Sequence, residues 1–186
     1  IIKADGDYVV TTNGLANTVD LYLTADLIED PSTAEKLASL DLLSNYSITS
    51  VDIKGTTVVA ALKNDNYGEA GIVRVFDISD LNDITATDIA VGIHPDSIAL
   101  NAAGTLAFTA NEGEVDEDGT LNPADAEGSI SVIDLVTGFV TTIRFDGFTL
   151  DDLEGVRISP TAISAKFLST YFTPPLVVSN ESTRIS

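Results

Sequence analysis

The sequence predicts an all-β fold, and three observations carry that prediction. Short runs of β-branched and apolar residues alternate with clusters of Gly, Asn, Asp and Ser along the chain, which is the pattern of strands and turns. Apolar residues seldom recur at the three-to-four spacing of an amphipathic helix. A four-strand unit then occurs twice, over residues 47–92 and again over 94–147.

Taken in order, strands are expected at residues 7–12, 18–24 and 36–42, then at 48–53, 57–62, 72–78 and 86–91. Further strands are expected at 97–100, 106–110, 129–135 and 140–145, with one more at 176–179. Residues 31–40 are the one stretch that could be helical, with Asp30 or Ser32 as a cap. Their apolar spacing is poor, so a loop leading into a strand is expected there.

The two copies of the repeat align residue by residue. Val51-Asp52-Ile53 matches Ile98-Ala99-Leu100, Gly55 matches Gly104, and Val75-Phe76-Asp77-Ile78 matches Val132-Ile133-Asp134-Leu135. A repeat of roughly 45–55 residues with four strands is the unit of a β-propeller blade. A sandwich of similar strands is the competing architecture, and the four-strand repeat argues against it. The same grid makes residues 1–45 a partial blade of three strands, 46–92 and 93–147 blades, and 148–186 a linker plus the first strand of a next blade. In that last segment Pro174-Pro175-Leu176-Val177-Val178-Ser179-Asn180 echoes Pro95-Asp96-Ser97-Ile98-Ala99-Leu100-Asn101. About three blades cannot close a ring that normally takes about four to eight. The chain is therefore expected to be part of a larger propeller, for example a seven-bladed one. Its apolar flanks are expected to meet missing blades of the same chain or other subunits.

Charge and composition exclude several functions. The 186 residues carry 9 Lys+Arg against 29 Asp+Glu, a net charge of −20. Such a surface lacks the basic footprint of a nucleic-acid binder, so no nucleic-acid partner is expected. No apolar run approaches the ~18 residues of a membrane span. With no Cys there is no disulfide, thiolate nucleophile or Cys-based zinc site. Loss of both Cys and Met removes the most oxidisable side chains. That loss and the acidity point to an extracellular or cell-surface setting. The opening IIKADGDYVV has no charged n-region and no cleavage site, as expected of a mature or excised chain.

The second copy of the repeat carries a family resemblance. Pro95, Gly104, Ala110-Asn111 and Ile133-Asp134 occupy the positions of the blade motif in lactonase-like, YVTN-type propellers, which they resemble. More closely, Ala110-Asn111-Glu112-Gly113-Glu114, the acidic loop after it, and Glu127-Gly128-Ser129-Ile130-Ser131-Val132-Ile133-Asp134 resemble the choice-of-anchor I family. Gly155-Val156-Arg157-Ile158 matches a further element of that family. The resemblance spans roughly residues 48–160. It implies a secreted or surface-anchored bacterial propeller, in some members alkaline-phosphatase-like. After Ile163 the family's acidic stretch is replaced by Phe167-Leu168-Ser169-Thr170-Tyr171-Phe172-Thr173-Pro174-Pro175, so a site built from that stretch is in doubt here.

The residues with most chemical promise lie in the loop NEGEVDEDGTLNPADAEG. Glu112, Glu114, Asp116, Asp118 and Asp125 are candidate calcium ligands, with Gly119 at the turn. A hard cation needs six to eight oxygens, and alternate side chains on a curling loop can converge on one point. Glu at the first position and Asp at the last depart from the EF-hand pattern, and a solvated acidic loop remains the alternative. Asp65, Asn66, Tyr67 and Glu69 form a second polar cluster in the equivalent loop of the preceding blade. Equivalent loops share a propeller face, so Asn64, Asp65, Glu69, Asn111, Glu112 and Glu114 would make that face electronegative. His94, the single His, precedes Pro95 at a blade junction. It reads as a turn residue more readily than as a base or metal ligand. Arg74, Arg144 and Arg157 are isolated cations, and pairing with nearby Asp is expected. Asp77 and Asp134 end equivalent strands and are expected to bond the amides of the following turn.

These readings converge on an extracellular propeller that binds or scaffolds, with calcium as a stabilising ion and a protein or glycan as ligand. A metal-dependent hydrolase of the phosphatase or lactonase type is the alternative, implied by the resemblance alone. A subunit of an extracellular filament or ring is a third. Whether the chain is an enzyme is open at this point.

Overall fold

The computed structural model describes residues 1–66, 68–113 and 128–144. Within them twelve strands form three four-stranded sheets, each antiparallel and each ordered as the chain runs. The first contains β1 (Ile2–Asp5), β2 (Tyr8–Asn13), β3 (Thr18–Leu23) and β4 (Lys36–Asp41). The second contains β5 (Tyr46–Lys54), β6 (Thr57–Asn64), β7 (Ala70–Asp77) and β8 (Thr85–Ile93). The third contains β9 (Pro95–Leu100), β10 (Leu106–Asn111), β11 (Ser129–Asp134) and β12 (Val140–Arg144). These are propeller blades: β5 packs beside both β1 and β9, so the first strands of the three sheets lie side by side.

One expectation is corrected, the loop into a strand expected over 31–40 is found, and one helix was not foreseen. The first sheet has four strands rather than three, because Ile2–Asp5 pairs with β2 through a tight turn at Gly6, whose φ is +57°. Glycine takes that left-handed backbone at no steric cost. Helix α1 (Thr24–Glu29) lies ahead of the stretch considered for a helix, and the loop after it leads into β4. Leu23 stands in α1's approach where Asp77 and Asp134 stand in the other blades, each directly opposite the first residue of the second strand. Those two carboxylates accept from the following turns, Asp77 from Ser79 N–H at 2.9 Å and Asp134 from Val136 and Thr137 N–H at 2.9 and 3.0 Å. These backbone bonds hold both carboxyls below the usual range. The strand expected at 176–179 and the Gly155–Ile158 element lie outside the described residues.

The middle blade explains why the chain reads as it does. Val58, Val59, Ala60, Ala61 and Leu62 of β6 are all fully buried. Alternate side chains of a strand face opposite ways. Val58, Ala60 and Leu62 join Val10, Val19, Leu21 and Leu40 in the core between the first two blades. Val59 and Ala61 join Ile98, Ala107 and Ile133 in the core between the second and third. A strand buried on both sides loses its polar alternation. Each fully buried Val or Leu contributes about 1.5–3 kcal/mol.

Polar clips also join the blades. Asp5 accepts from Lys54 Nζ and from Gly55 N–H, both at 2.7 Å. The bond from the Gly55 amide, then that from Lys54, holds its carboxyl below the usual range. Asp52 accepts from Leu100 N–H at 2.8 Å, tying β5 to β9. Within the second blade, Arg74 Nη1 meets both oxygens of Asp88 at 2.9 Å, the pairing expected of it.

Candidate cation-binding face

Because strands alternate in direction, the β2–β3, β6–β7 and β10–β11 loops emerge at one end of the blades. The β4–β5 and β8–β9 junctions emerge at the same end. The β8–β9 junction is a single residue, His94. The residues around it explain its position. Pro95 is fully buried, and a side chain at Gly71 would collide with its ring. A side chain at Gly92 would lie 2.5 Å from the Asn111 amide. The two glycines therefore let β7 and β8 close on the third blade. His94 takes a left-handed backbone, φ +52°, to turn the corner. Its carbonyl accepts from Glu112 N–H at 2.9 Å, and Ile93 C=O accepts from Gly113 N–H at 3.1 Å.

This double bond pattern fixes the start of the β10–β11 loop against the junction. Three ligand-bearing side chains then meet. One ligand atom each from His94, Asp96 and Glu112 lie within 4.8 Å of one another, and His94 Nδ1 stands 4.0 Å from Glu112 Oε2. Asp96 and Glu112 are exposed, and His94 is half-buried. Glu112 thus lies where a ligand could use it. Its companions in the expected calcium loop, Glu114, Asp116, Asp118 and Asp125, lie outside the described residues.

Of the other expected members of the face, Asn111 and Asn64 are committed to bonds within their own blades. Asn111 is buried: its amide donates to Ser129 Oγ at 3.0 Å and Ser131 Oγ at 2.9 Å, and its carbonyl accepts from Thr109. It is a neutral structural hub and no part of an electronegative surface, because its hydrogen-bonding capacity is used within the blade. Asn64 accepts from Asn66 N–H at 2.9 Å, and Asp65 accepts from Ser47 Oγ at 2.7 Å. Tyr67 lies outside the described residues, and Glu69 is exposed. Sequence reasoning missed Asp96 and read His94 as a turn residue. His94 does turn the chain, and the sequence signal was limited to a His and an Asp on either side of Pro95 at a blade junction.

The fold and this face define the chain as an arc of propeller blades with a polar loop end. A family model for the Choice-of-anchor I domain matches residues 2–185, and the chain belongs to that family. The match reaches further in both directions than the motifs at 48–160. Among solved structures the chain is similar to a protein provisionally assigned as a 6-phosphogluconolactonase from Bacteroides fragilis, with TM-score 0.52 and 19% identity. That match covers 77% of this chain and 36% of the other. It is also similar to Kuenenia stuttgartiensis hydrazine synthase, with TM-score 0.56 and 13% identity, covering 82% of this chain and 41% of that one. At these identities the likeness is one of fold. The chain spans well under half the length of either neighbour. No curated protein matches it. Among the described residues, no helix is long and apolar enough to cross a membrane.

Proposed function

We propose that the chain is a blade arc of an extracellular or cell-surface propeller that binds or scaffolds through its β10–β11 loop end, with calcium as a stabilising ion. The observation that carries this reading is the placement of Glu112. It opens the acidic loop at a point pinned to the blade junction by two backbone bonds, beside Asp96. A carboxylate-rich segment anchored at its base is stabilised when a hard cation gathers its oxygens. The acidic surface suits a protein or glycan partner and disfavours phosphate polymers. Further blades of the same chain or of other subunits complete the ring, in keeping with the partial coverage of the longer neighbours.

The test is thermal unfolding of chelator-treated protein titrated with calcium. A saturable rise in Tm, lost in Asp116→Asn/Asp118→Asn, is expected. A Tm indifferent to calcium and chelator would refute the calcium role.

A metal-dependent hydrolase is the second reading, favoured by the imidazole and two carboxylates gathered on this face. Metal-dependent cleavage of a generic phosphoester or lactone, abolished by Glu112→Gln, would establish it. No turnover of either substrate with added metal would leave the binding role.

A further inference from the structure

We propose that His94, Asp96 and Glu112 form a site for a borderline divalent transition ion, with zinc as its best occupant. The ion would sit at the junction between the second and third blades and use none of the loop carboxylates beyond Glu112. The donor set decides the class of ion. One imidazole nitrogen with two carboxylate oxygens suits zinc, whose ligands stand about 2.0–2.2 Å from the metal. Calcium instead asks for six to eight oxygens and is poorly served by three donors, one of them nitrogen.

The geometry fits an ion seated between the three groups. Ligands at about 2.1 Å in tetrahedral to octahedral arrangement lie about 3.0–3.4 Å apart. The donor atoms here lie within 4.8 Å of one another, with one pair at 4.0 Å. Closing by roughly an ångström needs only side-chain rotation of exposed Asp96 and Glu112.

The backbone beneath them is already set. Asp96 follows Pro95, which is fully buried, so alternation along β9 sends it the other way, while the left-handed turn at His94 sets the imidazole beside it. Glu112 follows buried Asn111 in the same way, and its amide is bonded to the His94 carbonyl. The three donors therefore come from two chain segments that are bonded to each other and anchored inward by neighbouring residues. Such preorganisation limits the ordering cost of binding. Three protein donors at a surface leave a coordination position to water, as in zinc sites that act on ligands rather than only brace a fold.

The experiment is zinc titration of the tag-free full chain by calorimetry and thermal unfolding, together with the visible absorption of the cobalt(II) form. His94 is the single histidine, so any imidazole-dependent signal belongs to it. One zinc per chain at micromolar affinity or tighter is expected, with a rise in Tm. His94→Asn should weaken zinc at least about tenfold and change the cobalt spectrum. Asn accepts the left-handed backbone of this position, and the metal-free Tm of His94→Asn checks that its fold is kept. Asp96→Asn should also weaken zinc, whereas Asp116→Asn/Asp118→Asn should leave it unchanged. Absence of saturable zinc binding up to about 100 μM, or wild-type zinc affinity in His94→Asn, would overturn the proposal. So would zinc binding lost only in the loop variant. Calcium dependence is scored separately on the loop variant, so either proposal can fail while the other stands.

Discussion

The first and third blades solve the same structural position in different ways. In the first, Thr11 of β2 lies opposite Asp20 of β3, and Asn13 opposite Thr18. In the third, Thr109 of β10 lies opposite Ser131 of β11, and Asn111 opposite Ser129. Both second strands therefore carry Thr-x-Asn at the loop end. The first blade centres its cluster on a buried charge. Asp20 accepts from Asn13 at 3.1 Å, Thr18 at 2.9 Å, Ser39 at 3.0 Å and Lys36 at 3.3 Å. The third centres on neutral Asn111, packed where Gly92 of the preceding blade leaves room. In the middle blade the equivalent pairs are Ala60–Arg74 and Leu62–Ile72: Ala60, Leu62 and Ile72 pack against the first blade, and the one charged residue, Arg74, is paired with Asp88 of the same blade.

The faces explain the choice. In the first blade Val10, Val19 and Leu21 point into the core shared with the second blade, so alternation turns Thr11 and Asp20 away from it. A buried carboxylate there needs its own donors, and the blade supplies four. Its oxygens are then committed and poorly placed to bind a ligand. In the third blade the buried cluster is neutral, and the acids stand outside it as Asp96 and Glu112. A carboxylate held by its own blade is structural, and one set outside a neutral hub is available.

The largest effect expected from breaking this comparison is at Asp20. Asp20→Ala leaves Thr18, Asn13, Ser39 and Lys36 without their shared acceptor, one of them in a buried position. Loss of about 3 kcal/mol of stability is expected in urea unfolding. Asn111→Ala strands hydroxyls that can turn to other acceptors, so about 2 kcal/mol is expected. A larger loss at Asn111 than at Asp20 would reverse the ranking of charged over neutral hub.

Acid sharpens the contrast. Burial by itself would raise the Asp20 carboxyl, but the hydrogen bonds from Asn13, Thr18, Ser39 and Lys36 together outweigh it and hold it below the ordinary 3.8. A carboxyl depressed in the folded state contributes stability that is fully present above its unfolded value. That contribution is lost as pH falls through the lower folded value. The stability difference between wild type and Asp20→Asn should therefore be constant above about pH 5 and shrink below about pH 4. The deficit of Asn111→Ala should not change with pH over the same window, because no proton is involved. Urea unfolding of the three proteins from pH 6 to pH 2.5 reads both trends. A pH-independent Asp20→Asn difference would remove the charge from the account.

Much of this architecture was legible in the sequence, for identifiable reasons. The strands of the middle blade stood out because burial on both sides made β6 an unbroken apolar run. Asp77 and Asp134 were readable because an Asp before a turn has one common role, and the structure gives them that role. The first strand, Ile2–Asp5, was missed because exposed edge residues carry little periodicity, and three of its four residues are exposed. The cation-binding corner was half legible. Glu112 belonged to a visible acidic run, but its meeting with His94 and Asp96 depends on Gly71 and Gly92 admitting Pro95 and Asn111. That is a contact between blades, and no local pattern reports it.

The smallest expected effect is at the clip between the second and third blades. Asp52 contributes one hydrogen bond to Leu100 N–H, in a strand pair already joined by the apolar core of Val59, Ala61, Ile98 and Ala107. Asp52→Ala should therefore cost only about 1 kcal/mol globally. Its local effect should be sharper: hydrogen exchange at the Leu100 amide should speed up, because the donor loses its acceptor while its strand stays folded. Exchange at Val59 and Ala61 should be unchanged. If the β6 amides were to speed up equally, the carboxylate rather than the apolar core would be what holds these two blades together. The division between structural and available acids would then have to be redrawn, with the inner-strand carboxylates as part of the frame that positions His94, Asp96 and Glu112.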